Sequence, residues 1–141
     1  MKKIVIIGGG PAGMQAALSA NFKYRNQERQ ITLIEKNERV GRKLMITGKG
    51  RCNVTNNCDL DTLIANTPKN GRFLYSAYSA FLPQDTMAYF ENIGVPLKTE
   101  RGNRVFPQSD KSVSIVDALY KNLKACGIEH IHATAQSIKT N

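Results

Sequence analysis

With 141 residues, 41% of them hydrophobic and 22% charged, the sequence is long enough for one domain with its own core, too short for two, and too mixed in charge to be a disordered chain. Its longest apolar run, residues 4–7, is far too short to cross a bilayer, and three cysteines without a C-x-x-C pair make no disulfide framework, so reduced thiols in the cytoplasm are expected. Twenty basic residues against eleven acidic ones leave a net charge of +9, which keeps both nucleic acid and phosphorylated ligands open as partners.

In chain order, Ile4-Val5-Ile6-Ile7 is a β-branched run without polar alternation, the pattern of a parallel strand buried on both faces. It runs into Gly8-Gly9-Gly10-Pro11-Ala12-Gly13, and residues 14–20 then supply small helix formers suited to close packing on a sheet. Residues 24–30 are polar and read as a loop, and residues 31–35 as a second strand closing on Glu35. Strand, glycine turn, helix, strand and acid make a βαβ unit, so the fold class is α/β. Residues 36–57 mix glycines and polar residues with little periodicity, the mark of a long ordered loop with a function.

Further along, Asp59 suits the cap of a short helix running to Asn66. Phe73, Ala77 and Phe81 share a helical face and, with Tyr75 and Tyr78, read as core rather than as a base-stacking platform. Pro83 suits a first helical turn, followed by Met87, Phe90 and Ile93 at helical spacing and Gly94 as the stop. Residues 97–106 suit a short strand and turn. Val116, Leu119, Tyr120 and Leu123 form an amphipathic stripe that stops at Gly127, and residues 128–138 read as another strand. There is no internal repeat, low-complexity tract or inter-domain linker.

The residues from Gly8 to Gly13 fit G-x-G-x-x-G, in which Gly8 permits the tight turn, Gly10 lets backbone approach a pyrophosphate and Gly13 lets helix pack on strand. The helix start offers unpaired N–H groups to phosphates. Glu35, at the end of the next strand, suits ribose hydroxyls, and an acid there favours a free 2′-hydroxyl over a 2′-phosphate. Residues 41–56, GRKLMITGKGRCNVTN, lie in a stretch where Lys36, Arg39, Arg42, Lys43, Lys49 and Arg51 face a single acid, Glu38. Such a segment either handles an anion or is a solvated basic loop. Cys52 among these cations has two readings, a thiol of lowered pKa with a redox role or a small packed residue. Cys126 reads as core. His130 and His132, two apart on a strand, share a face, but no third ligand stands at a familiar spacing, so both read as surface or packing residues.

Taken together, the first strand with GGGPAG and the segment GRKLMITGKGRCNVTN resemble the bacterial flavoproteins of the NAD(P)/FAD-dependent oxidoreductase family, which includes aminoacetone oxidase-like and 3-dehydro-bile-acid reductase-like members. The resemblance implies a Rossmann-like, parallel-sheet FAD domain of the glutathione-reductase-like type. Gly8, Gly9, Gly10, Pro11, Ala12 and Gly13 would then hold the FAD pyrophosphate and Glu35 the adenosine ribose. Arg42 and Lys43 would lie near the phosphates or ribose, with Lys36 in the same basic group. Gly50, Arg51, Cys52 and Asn53 would run near the flavin, and the backbone at Ala135 would touch adenine.

It also implies an activity in which NAD(P)H reduces the flavin and the flavin reduces a small organic substrate, or is reoxidised by oxygen. The basic loop would favour reduced, anionic flavin, and no side chain stands out as catalytic. Family members are several-fold longer, so residues 1–141 read as the N-terminal part of the FAD domain, without the inserted substrate domain and the remainder of the sheet. A sheet lacking strands exposes an apolar edge and face and invites self-association. Neither a nucleic-acid nor a membrane partner is expected. The alternatives are an NAD-binding dehydrogenase domain, which leaves residues 41–56 without a role; a basic nucleic-acid module, which rests on net charge alone; and an inactive remnant.

Overall fold

The computed structural model describes residues 1–140. In chain order the elements are β1 (Lys2–Ile7), α1 (Pro11–Lys23), β2 (Arg29–Glu35), a 3-10 segment (Leu44–Gly50), β3 (Thr55–Asn56), α2 (Leu60–Ala65), a second 3-10 segment (Gly71–Leu74), α3 (Tyr75–Ala80), α4 (Pro83–Asn92), β4 (Leu97–Glu100), a 3-10 turn (Arg101–Asn103), β5 (Arg104–Pro107), α5 (Ser112–Ala125) and β6 (Glu129–His132). Composition suggests one core. The chain instead packs as two compact units, Met1–Ile46 with the residues from Val116 onward, and Thr47–Ile115. No helix among the described residues is long and apolar enough to cross a membrane.

The first unit is a Rossmann-like α/β arrangement with a parallel sheet in the order β1-β2-β6. Lys2 pairs with Arg29 and Ile7 with Ile34, while Thr32 pairs with Glu129 and Glu35 with His132. Helix α1 packs on β1 and β2, and Met14, Ala17 and Leu18 are buried together with Ile31 and Leu33. The stripe expected on α5 holds: Val116, Leu119 and Leu123 are buried, and Tyr120 Oη lies 3.2 Å from His130 Nδ1.

Burial of β1 on both faces does not hold. Val5 is 59% and Ile7 53% exposed, because β1 is an edge strand with a helix on one side only. Ile7, Ile34 and Ile131 form one paired row across the open face. Strand β6 is shorter than residues 128–138, and the reason is its neighbour. β2 ends at Glu35, the last ladder bond runs from Ala133 N to Glu35 O at 3.0 Å, and residues 133–140 are exposed without regular structure.

The second unit carries the antiparallel sheet β3-β5-β4. Asp59 caps α2 by accepting from Thr62 N at 2.8 Å, and Asp85 accepts from Leu82 N at 2.8 Å at the start of α4. Residues 36–57, read as one loop, contain the first 3-10 segment and β3. Val95, Leu97, Val105 and Phe106 are buried. The aromatic face expected in the core is not there: Phe73 is 86%, Tyr75 54% and Phe81 46% exposed, since α3 is less than two turns long and a 3-10 segment precedes it.

Candidate nucleotide site

The turn after β1 is built by sterics. Gly8 N donates to Ile34 O at 2.7 Å, and Gly8 has φ +103°, a region that L side chains rarely adopt. Gly10 then caps α1 with extended backbone (φ −74°, ψ 177°), Pro11 takes the first helical position, and no side chain caps the helix. A Cβ on Gly13 would lie 1.8 Å from Gly8 O, so only glycine lets α1 start over this turn. Gly10 is the opposite case. Its backbone suits any residue, and a Cβ there would have nothing within 4 Å. The missing side chain therefore serves no packing need of the protein. It leaves open space beside the free amides of the α1 N-terminus, the cradle a pyrophosphate requires.

Glu35 closes the site from β2. Only 9% exposed, its Oε2 accepts from Gly9 N at 2.6 Å, and its Oε1 accepts from both Asn37 N at 2.8 Å and Asn37 Nδ2 at 2.6 Å. Burial pushes this carboxyl up, but the amide of Asn37, the amide of Gly9, the Asn37 side chain and the amide of Lys36 outweigh it and hold the carboxyl below its ordinary value. Arg42 Nη1 in turn donates to Asn37 Oδ1 at 3.1 Å. A cavity of about 510 Å³ opens here, lined by Lys36, Asn37, Glu38, Arg39, Arg42, Met45 and His132, with basic groups outnumbering the one carboxylate. Arg39 is paired with Asp117 at 2.5 Å, and His132 Nε2 sits 3.0 Å from Lys36 O.

Thus Gly8, Gly9, Gly10, Pro11, Ala12, Gly13, Glu35, Lys36 and Arg42 fall within the first unit around the turn and this cavity. Lys43 is exposed and does not line the cavity, and Ala135 is exposed beyond the end of β6. The residues present fit an adenine dinucleotide: an open glycine cradle, an ionised acceptor at the strand end and a basic hollow beyond it. Asn37 escaped the sequence reading. Its signal was an Asn two positions past a strand-end acid, where a short amide side chain turns back on its neighbours.

Gly50, Arg51, Cys52 and Asn53 belong to the second unit. Lys49, Gly50 and Cys52 all have positive φ. The Arg51 guanidinium pairs with Glu100 and Asp110 and lies 4.0 Å over the Phe106 ring, while Lys98 joins the same carboxylates at 2.6 Å from Asp110 and 3.5 Å from Glu100. The hydrogen bonds it donates to Glu100 and then Asp110 push the guanidinium up. Two cations thus face two anions, and the charge of Arg51 is balanced within its own unit. Arg51→Ala is expected to lower the urea midpoint slightly, by an amount that shrinks in molar salt; a salt-independent loss would show that the Phe106 stack, not charge, matters.

Cys52 is buried, and burial pushes its thiol up, which is the packed reading of this residue and not the activated one. The Asn53 side-chain amide faces the carbonyls of Thr55 and Val105 at 3.0 and 3.1 Å. Cys126, expected in the core, is half-buried just past α5.

A family model, HI0933-like protein Rossmann domain, matches residues 2–141. A 3-dehydro-bile acid delta(4,6)-reductase of Clostridium scindens is 32% identical over 125 residues, 88% of this chain and 29% of that protein. The chain therefore spans less than a third of the length of that relative. Family and relative agree with a nucleotide-binding domain of oxidoreductase type. The chain belongs to the HI0933-like Rossmann domain family.

Proposed function

We propose that the chain binds FAD through the turn after β1 and Glu35, and serves as the cofactor-holding part of a cytoplasmic oxidoreductase that takes electrons from NAD(P)H and reduces a small organic substrate. The observation that carries this reading is Gly10, a glycine in ordinary extended conformation with open space where its side chain would be. In this reading the α1 amides take the pyrophosphate and Glu35 Oε2 takes a ribose hydroxyl. Lys36 and Arg42 add positive charge beside the phosphates or ribose, Lys43 contributes from its exposed position, and the backbone near Ala135 meets adenine.

When bound, the flavin supplies hydride transfer, which no side chain of this chain can perform. The reductase relative supports an oxidoreductase, and three free cysteines suit a reducing compartment. Titrating FAD into the purified 141-residue chain, followed by flavin fluorescence, tests the reading. Saturable binding that Gly10→Val abolishes is the expected result, and an unperturbed flavin signal at all concentrations overturns it.

The same reading includes self-association through the open sheet face, supported by exposed Val5, Ile7 and Ile131. Ile7→Lys is expected to lower the mass measured by light scattering toward that of one chain. A single-chain mass for the unsubstituted protein counts against the idea.

A further inference from the structure

We propose that Asn37 is a positioning residue of the nucleotide site, occupying Oε1 of the Glu35 carboxylate and so holding Oε2 toward the glycine turn. This rests on the reading that a dinucleotide occupies the turn. An ionised carboxylate offers about four acceptor sites, two on each oxygen. Asn37 fills both on Oε1, with its backbone N–H at 2.8 Å and its side-chain Nδ2 at 2.6 Å. Gly9 N fills one on Oε2 at 2.6 Å. One remains.

The arrangement is itself braced. Asn37 cannot present its amide the other way round, because Oδ1 accepts from Arg42 Nη1 at 3.1 Å, which keeps Nδ2 toward Glu35. A run of hydrogen bonds from Arg42 through Asn37 and Glu35 thus ends on the amide of Gly9, inside the glycine turn. The run joins the basic stretch after β2 to the phosphate cradle, and it fixes the plane of the carboxylate before any ligand arrives. Preorganisation of this kind spares the ligand the ordering of the carboxylate.

The test uses the full 141-residue chain with FAD as the probe, and the ¹³C signal of the Glu35 carboxyl in the ligand-free protein. Asn37→Ala is expected to weaken FAD about tenfold, the effect of losing one hydrogen bond to a charged group. In a Glu35→Gln background the same change should cost less than about twofold, since the residue acts through the carboxylate.

The Glu35 carboxyl signal should titrate at higher pH in Asn37→Ala. It should do so in Asn37→Asp as well, which keeps the size of the side chain but replaces the donor with a second carboxylate. That signal reports Glu35 itself, and both substitutions leave in place the other charged or titratable groups bordering the cavity, Lys36, Glu38, Arg39, Arg42 and His132. An unmoved Glu35 titration in both variants overturns the inference whatever the nucleotides do, as does an equal loss of FAD affinity in the Glu35→Gln background. Failure of the unsubstituted chain to bind FAD overturns the proposed function instead, and the titration keeps the two failures apart.

Discussion

Gly13→Ala is expected to destabilise the first unit by about 3 kcal/mol or more, near the upper end of overpacking effects. The added methyl would meet Gly8 O at 1.8 Å, and a backbone oxygen cannot swing aside as a side chain end can. Relief requires the β1–α1 turn to open, which pulls on the Gly8 N to Ile34 O bond that seats it. Gly10→Ala is the control, three residues away in the same motif. Its methyl would enter open space on unstrained backbone, so stability should stay within about 0.5 kcal/mol of the starting protein. Urea unfolding of the two variants separates them. If Gly13→Ala unfolds at the same midpoint as Gly10→Ala, the steric account of the turn is wrong.

Glu35→Ala carries the second large effect. It leaves Gly9 N and both Asn37 donors without their acceptor at a buried position, at about 1–3 kcal/mol for each donor that water does not reach. Acid has a related action. The folded carboxyl lies below its ordinary value, so its contribution to stability is complete above the ordinary glutamate range and fades as pH falls through the depressed folded value. The stability gap between the unsubstituted chain and Glu35→Gln should therefore be widest near neutral pH and narrow on acidification. Urea midpoints measured across that range check it, and a gap constant down to strongly acidic pH would mean that Glu35 is not held ionised by its donors.

What was legible in the sequence is what short-range sterics dictate. The glycine turn could be read because Gly8 and Gly13 answer constraints set within six residues, and Glu35 because it is the first charged residue after the run Ile31-Thr32-Leu33-Ile34. The α5 stripe could be read because one apolar face in four turns has a single way to pack. Other features depend on partners far along the chain. A β-branched run looks the same whether one face or two are covered, so the exposure of Val5 and Ile7 could not be seen in it. Phe73 and Phe81 have helical spacing in a segment too short to present a common face. The extent of β6 is decided by where β2 stops, and the partners of Arg51 stand 49 and 59 residues away, at Glu100 and Asp110.

The order of units along the chain also bears on how the protein acquires its structure. The second unit, Thr47–Ile115, is continuous in sequence, whereas the first is interrupted by it. Within the first unit, the Glu35–Gly9 bond closes a separation of 26 residues, but the Thr32–Glu129 bond closes one of 97. Loop-closure entropy and contact order place the β1-α1-β2 crossover early and the arrival of β6 late. On a ribosome, the glycine turn and its carboxylate would be assembled while α5 and β6 were still being synthesised, and the β2 edge that β6 finally covers would stay open for the whole of that interval.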